Sequence, residues 1–426
     1  MSTLIHNSRL LDPASGLDGP GGLLIEEDKI AGLGTGFSPD KVKASEVIDA
    51  GGLCLAPGLV DLRVKTGEPG EEQRETLATA SRAAVAGGVT SMVVMPDTNP
   101  VIDDVALVQF ILNRGRETAV NRVYPAGALT RGLNGEAMAE IGLMAEAGAA
   151  LFTNGDHPVG DAGILRRTFA YAASQSAIVA GRPDVESLSG SGVMNAGALA
   201  ARMGLKGIPR DAEWIGLARD LILAQATGVR LLVDRISTGK SLDMVRQAKA
   251  DGTHVYATVA AHHLFFNELD VGDYLTYCKT NPPFRTEDDR QALIDGLAAG
   301  DIDAVVSAHD PQPPEEKRLP YSEASFGAAG LETTLSALLA LVQDERVELL
   351  TALRAVTSGP ADLLGLEQGR LADGAPADLI LFDPNKPWLC ERENLLSRSA
   401  NSPFDGRRMV GRVNRTWVGG LAVFSR

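Results

Sequence analysis

Short apolar segments alternate with longer Ala- and Leu-rich segments through the middle of the chain, and this alternation constrains the fold more than any other feature. Apolar runs of four to seven residues are typical of buried parallel strands. The longer segments, such as 71–86 and 211–227, have the spacing of crossover helices. Eight strands close a barrel, so the sequence predicts an α/β fold with a (β/α)8 TIM barrel over residues 57–368. The predicted strands are Leu59–Val64, Val89–Met95, Arg122–Ala126, Ala149–Thr153, Ala177–Ala180, Arg230–Ile236, His254–Val259 and Ala304–Ser307.

The two ends of the chain differ from the middle. Residues 1–56 and 369–426 contain short alternating segments that are broken by turn residues, which is typical of antiparallel strands. Gly419 and Gly420 resemble a hairpin turn. Because both ends flank the predicted barrel, we expect them to pack together as one small composite β-sandwich domain.

Charge and hydropathy exclude several kinds of partner. The chain has 40 basic and 55 acidic side chains, a net charge of −15, which argues against binding to nucleic acid or to an anionic membrane. No apolar run approaches the ~20 residues of a membrane-spanning helix, and residues 1–11 lack a signal-peptide pattern, so we expect a cytoplasmic protein. Cys54, Cys278 and Cys390 have no metal-site spacing and are expected to be reduced structural thiols.

Six motifs occur in the same order as in a known family. They are PGLVDLRVKTGEPG, GGVTSMVVMPDTNPVID, GDAGILRRTFAYA, GSGVMNAGALAARMGLKGIP, KTNPPFRTEDDRQALIDG and NSPFDGRRMVGRV. Through these motifs the sequence resembles the dihydroorotases of the amidohydrolase superfamily over nearly its whole length. This resemblance implies a metal-bearing barrel with a small β domain and a place in pyrimidine biosynthesis.

The resemblance also shows which residues are missing. In the family, the first strand ends in two zinc-binding histidines, whereas Arg63 and Lys65 stand here and offer no lone pair to a metal. Asp156 is displaced by two positions from the family's bridging carboxylate and is a poor substitute. We therefore expect no metal cofactor and no catalytic residue. The other positions at which the family's metal ligands are replaced are Asn154, Gly155, Gly181, Arg235 and Ala308.

Two positions that hold the substrate in the family are also changed. The family's arginine two residues past the histidine pair corresponds to Gly67, and the asparagine of its MPNTNP motif corresponds to Asp97. Dihydroorotate and carbamoyl-aspartate carry carboxylates, so both changes would weaken their recognition. The adjacent His262 and His263 are expected to pack or to form hydrogen bonds rather than to bind a metal.

Several cationic residues replace the metal site at the predicted barrel mouth. A buried charge requires a partner, so we expect an ion-pair network that substitutes structurally for the metal centre. A site for an anionic ligand is the alternative. The candidate cluster is Arg63, Lys65, Arg182, Arg235 and His309, and the acids available to it are Asp61, Asp97, Asp184 and Asp310.

Three functions remain open at this stage. The first is a non-catalytic dihydroorotase-like protein that is a structural partner of the aspartate transcarbamoylase catalytic chain, a role that the resemblance implies for inactive relatives. The second is an active dihydroorotase or cyclic amidohydrolase with an atypical or absent metal site, using Lys65, Asp97, His309 and Asp310. The third is an anion-binding sensor that uses a cationic mouth. Amidohydrolase barrels are commonly dimers, so a homodimer is expected by analogy.

Overall fold

A computed structural model describes residues 2–426 of the chain. The N-terminal segment forms an antiparallel meander and two further strands that run parallel to its first strand. Met1, the first residue of the predicted range 1–56, lies outside the described residues. These strands are β1 (Ser2–Asp12), β2 (Leu17–Glu26), β3 (Lys29–Gly34), β4 (Glu46–Asp49) and β5 (Cys54–Pro57).

Eight parallel strands follow and form the barrel. Most of their residues are buried, as expected for strands that are covered by helices outside and by packed side chains inside. The predicted (β/α)8 barrel is therefore confirmed. The barrel strands are β6 (Leu59–Val64), β7 (Val89–Val94), β8 (Arg122–Ala128), β9 (Leu151–Thr153), β10 (Ile178–Gly181), β13 (Arg230–Val233), β14 (Val255–Ala260) and β15 (Ala304–Val306), and a small separate sheet pairs β11 (Met194–Asn195) with β12 (Gly207–Ile208).

The barrel closes between its last and first strands through an acidic side chain as well as the backbone. The N–H of Lys65 donates to the carbonyl of His309 at 2.8 Å. The carboxylate of Asp61 accepts the N–H of Ser307 at 3.2 Å and the N–H of Arg63 at 3.1 Å. Burial raises the pKa of Asp61 to about 6. Asp61 therefore closes this seam and does not pair with the cations, contrary to the sequence prediction.

Helices cover the outside of the barrel, and four of them begin at a residue whose side chain caps the first turn. Helix α1 begins at Leu77, not at Glu71 as predicted, because the hydroxyl of Thr76 caps the N–H of Thr79. The helices are α1 (Leu77–Ala86), α2 (Val105–Thr118), α3 (Ile141–Glu146), α4 (Ala162–Ser174), α5 (Glu186–Ser189), α6 (Ala198–Met203), α7 (Arg210–Thr227), α8 (Gly239–Ala250), α9 (Ala261–Phe265), α10 (Glu287–Ala298), α11 (Pro314–Lys317), α12 (Thr334–Gln343), α13 (Leu349–Arg354) and α14 (Ser358–Leu364). No helix within residues 2–426 is long and apolar enough to cross a membrane.

The C-terminal segment completes the sheet that the N-terminal segment begins. It forms β16 (Leu379–Leu389), β17 (Arg408–Val418) and β18 (Leu421–Ser425), and β16 pairs with β5. Gly419 and Gly420 both have positive φ and connect β17 to β18, which confirms the predicted hairpin turn. The composite β domain of both termini is therefore present. Its apolar core includes Ile5, Leu10, Leu23, Ile25, Leu55, Leu379, Leu381 and Trp417.

Candidate functional site: an ion-pair network in the barrel mouth

Arg63 is a deeply buried charge at the C-terminal end of the barrel strands. Its side chain is 1% exposed, and it donates from Nη2 to Asp156 at 3.0 Å and from Nε to Asp234 at 3.1 Å. Burial opposes its charge, but the carboxylates of Asp156 and Asp234 outweigh burial and raise its pKa. The guanidinium therefore stays charged inside the barrel.

Lys65 lies two residues further along, on the same face of the chain. Its Nζ is 2.6 Å from Asp156 Oδ2, 2.7 Å from Asp97 Oδ2 and 3.4 Å from Asp310 Oδ2. Burial disfavours the ammonium, but Asp156, Asp310 and Asp97 together raise the pKa of Lys65. A lysine with a raised pKa is protonated at neutral pH and cannot serve there as a general base.

Asp156 is at the centre of this arrangement. It pairs with Arg63 and Lys65 and also accepts Nη2 of Arg235 at 2.6 Å. Although burial alone would raise the pKa of Asp156, these three cations hold it well below its usual range. From the sequence, Asp156 was expected only as a poor substitute for a metal ligand, and its pairing with three cations was not predicted.

Asp234 is a second acid that the sequence analysis missed. It follows β13 and accepts Nε of Arg63 at 3.1 Å and Nε of Arg235 at 2.9 Å. Arg235 itself has a φ of 57° and also donates to the carbonyl of Asn281 at 2.7 Å. We call the complete set the mouth network, which consists of Arg63, Lys65, Arg235, Asp97, Asp156, Asp234 and Asp310.

The mouth network contains three cations and four carboxylates, so its formal charge is −1. This balance differs from the cationic mouth that the sequence suggested, because Asp156 and Asp234 were not counted there. Within the mouth network and the neighbouring Arg182, three buried polar atoms lack a hydrogen-bond partner in the described residues: Nη1 of Arg63, Nε of Arg182 and Oδ1 of Asp97.

Arg182 lies beside the mouth network and is joined to it indirectly. It pairs with Asp184, one of the acids expected to be available to the cluster, at 2.8 Å, and donates to Oδ1 of Asn281 at 2.8 Å. Asn281 also accepts from Arg235 through its carbonyl, and so links the two arginines. Arg182, Asp156 and Asp184 line a cleft of about 350 Å³ that opens at the barrel mouth.

His309 does not join the cations, which corrects the predicted cluster. Ala308 has a φ of 48°, so the alternation of side chains along the strand is lost before His309. The imidazole is fully buried, accepts the N–H of Gly330 at Nδ1, and has Nε2 3.6 Å from Oε2 of Glu75. It is a packed residue on the other side of the seam.

The positions that the sequence analysis aligned with the family's ligands and substrate contacts make structural contacts in this chain. Oδ1 of Asn154 accepts the N–H of Thr130 at 3.0 Å. A side chain at Gly67 would place its Cβ 2.5 Å from the carbonyl oxygen of Glu71, so an arginine does not fit there. Gly155 has a φ of +60° and packs against Asp97, while Gly181 accepts the N–H of Asp234. Gly155 and Gly181 therefore contact residues of the mouth network, whereas Asn154 and Gly67 contact other parts of the chain.

The donor set at the mouth does not fit a zinc ion. Zinc needs thiolate, imidazole or carboxylate lone pairs, whereas the carboxylates here accept from ammonium or guanidinium groups. Among residues 2–426, no three His, Cys, Asp or Glu side chains are grouped so that they could hold a metal. His262 and His263 begin helix α9, lie against Phe284, and are both buried. Burial lowers the pKa of His263 to about 3, so its ring stays neutral.

Comparisons with known proteins agree with the fold. Residues 52–241 match the family described as Dihydro-orotase-like, and residues 185–423 match the Amidohydrolase family. Proteins named Dihydroorotase from Pelobacter propionicus and Syntrophotalea carbinolica are 40% and 41% identical to the chain, covering 100% of it and 100% and 99% of their own lengths. Among solved structures, L-hydantoinase from Arthrobacter aurescens is similar with a TM-score of 0.90 and 25% identity, over 99% of this chain and 96% of that one.

Proposed function

Since this chain belongs to the dihydroorotase family of the amidohydrolase superfamily, we propose that it is a non-catalytic member in which the mouth network replaces the catalytic metal centre. Its role is structural, in pyrimidine biosynthesis, as a partner of the aspartate transcarbamoylase catalytic chain. Membership of the family supports a place in pyrimidine biosynthesis. The mouth network, in place of metal ligands, argues against catalysis.

One observation carries this proposal: the ammonium of Lys65 lies between the carboxylates of Asp97, Asp156 and Asp310. A metal ion bound by these carboxylates would lie close to that ammonium. At ~4 Å and an effective dielectric constant of about 20, two unit charges repel by about 4 kcal/mol, and a divalent ion doubles this cost. Lys65 thus holds the place of a metal ion. It supplies none of the chemistry of a metal ion, because an ammonium does not bind water as a Lewis acid and does not lower the pKa of that water.

The second candidate is an active dihydroorotase, which the name of the relatives at 40% identity favours. Amide hydrolysis requires a group that activates water. Lys65 is protonated, the imidazole of His309 is buried against Glu75, and Asp310 contacts Lys65. Lys65 is therefore in the wrong protonation state for a base, His309 is buried against Glu75, and Asp310 is already paired with an ammonium, which weighs against this candidate.

The third candidate is an anion-binding sensor, which the unpartnered N–H groups of Arg63 and Arg182 favour. The mouth network weighs against it because its four carboxylates outnumber its three cations. Calorimetric titration with carbamoyl phosphate and carbamoyl-aspartate measures this directly. Saturable binding that is lost in Arg182→Gln would favour the sensor. Absence of any heat of binding would rule out the sensor.

Turnover of dihydroorotate and carbamoyl-aspartate tests the main proposal. We expect no turnover with or without added zinc, while the Pelobacter propionicus relative, assayed in parallel, serves as the positive control. Size-exclusion chromatography with the cognate aspartate transcarbamoylase chain should show co-elution. Zinc-dependent turnover by the purified chain would contradict the proposal. Absence of co-elution would rule out the aspartate transcarbamoylase chain as its partner.

A further inference from the structure

A long loop follows the last barrel strand and lies at the barrel mouth. We call this loop, residues 311–327, the strap. Asp310, which belongs to the mouth network, precedes the strap, and Phe326 near its end lines the cleft that Arg182 also lines. The N–H of Asp310 donates to the carbonyl of Ala328 at 2.8 Å, so the two ends of the strap are close together. The strap is therefore a compact loop that closes one side of the cleft.

A buried lysine from the neighbouring segment holds the second half of the strap. The Nζ of Lys279 donates to the carbonyls of Tyr321 at 2.8 Å, Ser322 at 3.2 Å and Ala324 at 2.5 Å. The same ammonium lies 4.7 Å from the centre of the Phe326 ring, within range of a cation–π contact. An ammonium has three N–H donors, and each of them has a carbonyl of the strap as its acceptor.

A second buried lysine makes the same kind of contact in the opposite direction. Lys317 belongs to the strap, and its Nζ donates to the carbonyl of Thr276 at 3.1 Å and to that of Ser325 at 2.7 Å. The hydroxyl of Thr276 donates back to the carbonyl of Lys317 at 2.5 Å. Lys279 and Lys317 thus join the strap to the segment 276–279 in both directions, and we call the two residues the lysine clasp.

The strap has few other contacts that would keep it closed. Most of its residues between Pro314 and Glu323 are exposed, and Lys317 and Tyr321 are the buried ones among them. A segment with exposed backbone and few buried apolar contacts can open locally while the rest of the chain stays folded. The closed position of the strap therefore depends on the lysine clasp.

We propose that the strap is a lid over the barrel mouth, and that the lysine clasp holds this lid shut. The two ammonium groups satisfy backbone carbonyls that are shielded from water while the strap is closed. Without an ammonium, these carbonyls regain hydrogen bonds only when the strap opens to water, so loss of either lysine favours opening. Opening moves Phe326 away from the cleft and exposes the mouth network. This proposal holds whether or not the chain turns over dihydroorotate.

Thiol labelling of Cys278 measures the opening of the strap. Cys278 is 1% exposed and lies between Thr276 and Lys279, the two residues that the strap contacts. Cys54 and Cys390 are also free and buried, but they lie outside this region and report unfolding of the rest of the chain. The measurement uses iodoacetamide in native buffer, and peptide mass spectrometry reads each site. The rate at each cysteine is divided by its rate in the urea-unfolded chain.

Lys279→Met and Lys317→Met test the clasp one lysine at a time. Each variant should label at Cys278 about tenfold faster or more than the wild-type protein, because a buried charged donor is lost from several carbonyls. The rates at the other two cysteines should not change. Thermal unfolding checks that each variant is folded.

The wild-type protein supplies a test that needs no variant. Its normalised rate should be higher at Cys278 than at Cys54 and Cys390, because opening of the strap requires less free energy than global unfolding. Equal rates at the three cysteines would show that the strap opens only with the whole chain and would overturn the lid.

Lys249→Met is the matched control. Its Nζ donates to the carbonyl of Asp301 at 2.8 Å and to the carboxylate of Asp303 at 2.7 Å, at the opposite end of the barrel strands. Labelling at Cys278 should stay at the wild-type rate in this control. A wild-type rate in both folded clasp variants, or the same acceleration in the control, would overturn the role of the clasp. Equal acceleration at all three cysteines would show global destabilisation and would overturn local opening.

Discussion

The barrel mouth and the composite β domain both join segments that are distant in sequence, but different forces hold them. At the mouth, charged groups that follow β7, β9, β13 and β15 meet Arg63 and Lys65 of the first strand region. In the composite domain, β5 pairs with β16 over an apolar core that includes Trp417. A buried apolar side chain can pack against many different apolar neighbours, whereas a buried charge requires a partner of opposite charge at a particular position. Loss of one residue should therefore act differently in the two regions.

Trp417→Ala should have the largest effect, because it leaves a cavity in the apolar core of the composite domain. Trp417 is 1% exposed, and we expect the free energy of unfolding to fall by about 4 kcal/mol. Urea unfolding at pH 5 and pH 7 should give the same loss, since no titrating group is removed. Trp417→Phe keeps most of the volume and serves as the matched variant. A loss that changes strongly between these pH values would contradict an apolar origin.

Asp156→Asn tests the centre of the mouth network. Three cations lose a charged partner, so the free energy of unfolding should fall by about 3 kcal/mol. The pKa of Asp156 lies well below its usual range, so its contribution is present above pH ~4 and is lost only as the pH falls through that lowered pKa. Asp18→Asn, at an exposed pair with Arg9, should cost less than about 1 kcal/mol. Equal losses in the two variants would contradict the network.

Lys65→Met should change the formal charge of the mouth network from −1 to −2, so that it attracts divalent cations. Without the ammonium, Asp97, Asp156 and Asp310 lose a shared partner, and stability should fall by about 2 kcal/mol. Added magnesium or zinc should then raise the melting temperature of the variant and leave that of the wild-type protein unchanged. The same metal-induced shift in both proteins would show that Lys65 does not hold the place of a metal.

Asp61 should give the smallest effect, visible as a pH dependence. Its folded pKa of about 6 is raised above the unfolded value of about 3.9, so the folded protein binds a proton that the unfolded chain does not. Stability from this group therefore increases as the pH falls, by about 1 kcal/mol between pH 7 and pH 5. Urea unfolding of wild-type protein and Asp61→Asn at both pH values measures this, and identical slopes would contradict it.

The sequence predicted the strands and turns of the two regions better than the contacts between distant charged residues, for physical reasons. Barrel strands and the Gly419–Gly420 turn depend on local patterns, and both were found. Arg63 and Lys65 were identified because they stand where the family has histidines. Asp156 and Asp234 were missed, because local patterns show which residues end a strand and not which ends meet across a barrel. His309 was misplaced because the left-handed backbone at Ala308 cannot be read from alternation.

Metal content of the purified chain, after expression in zinc-supplemented medium, tests the central claim most directly. The carboxylates of the mouth network are already paired with ammonium and guanidinium groups, so we expect less than about a tenth of a zinc ion per chain. The Pelobacter propionicus relative, prepared in the same way, is the comparison. About one or more zinc ions per chain, lost together with turnover on chelation, would contradict the claim that Lys65 and its arginine neighbours have replaced the metal.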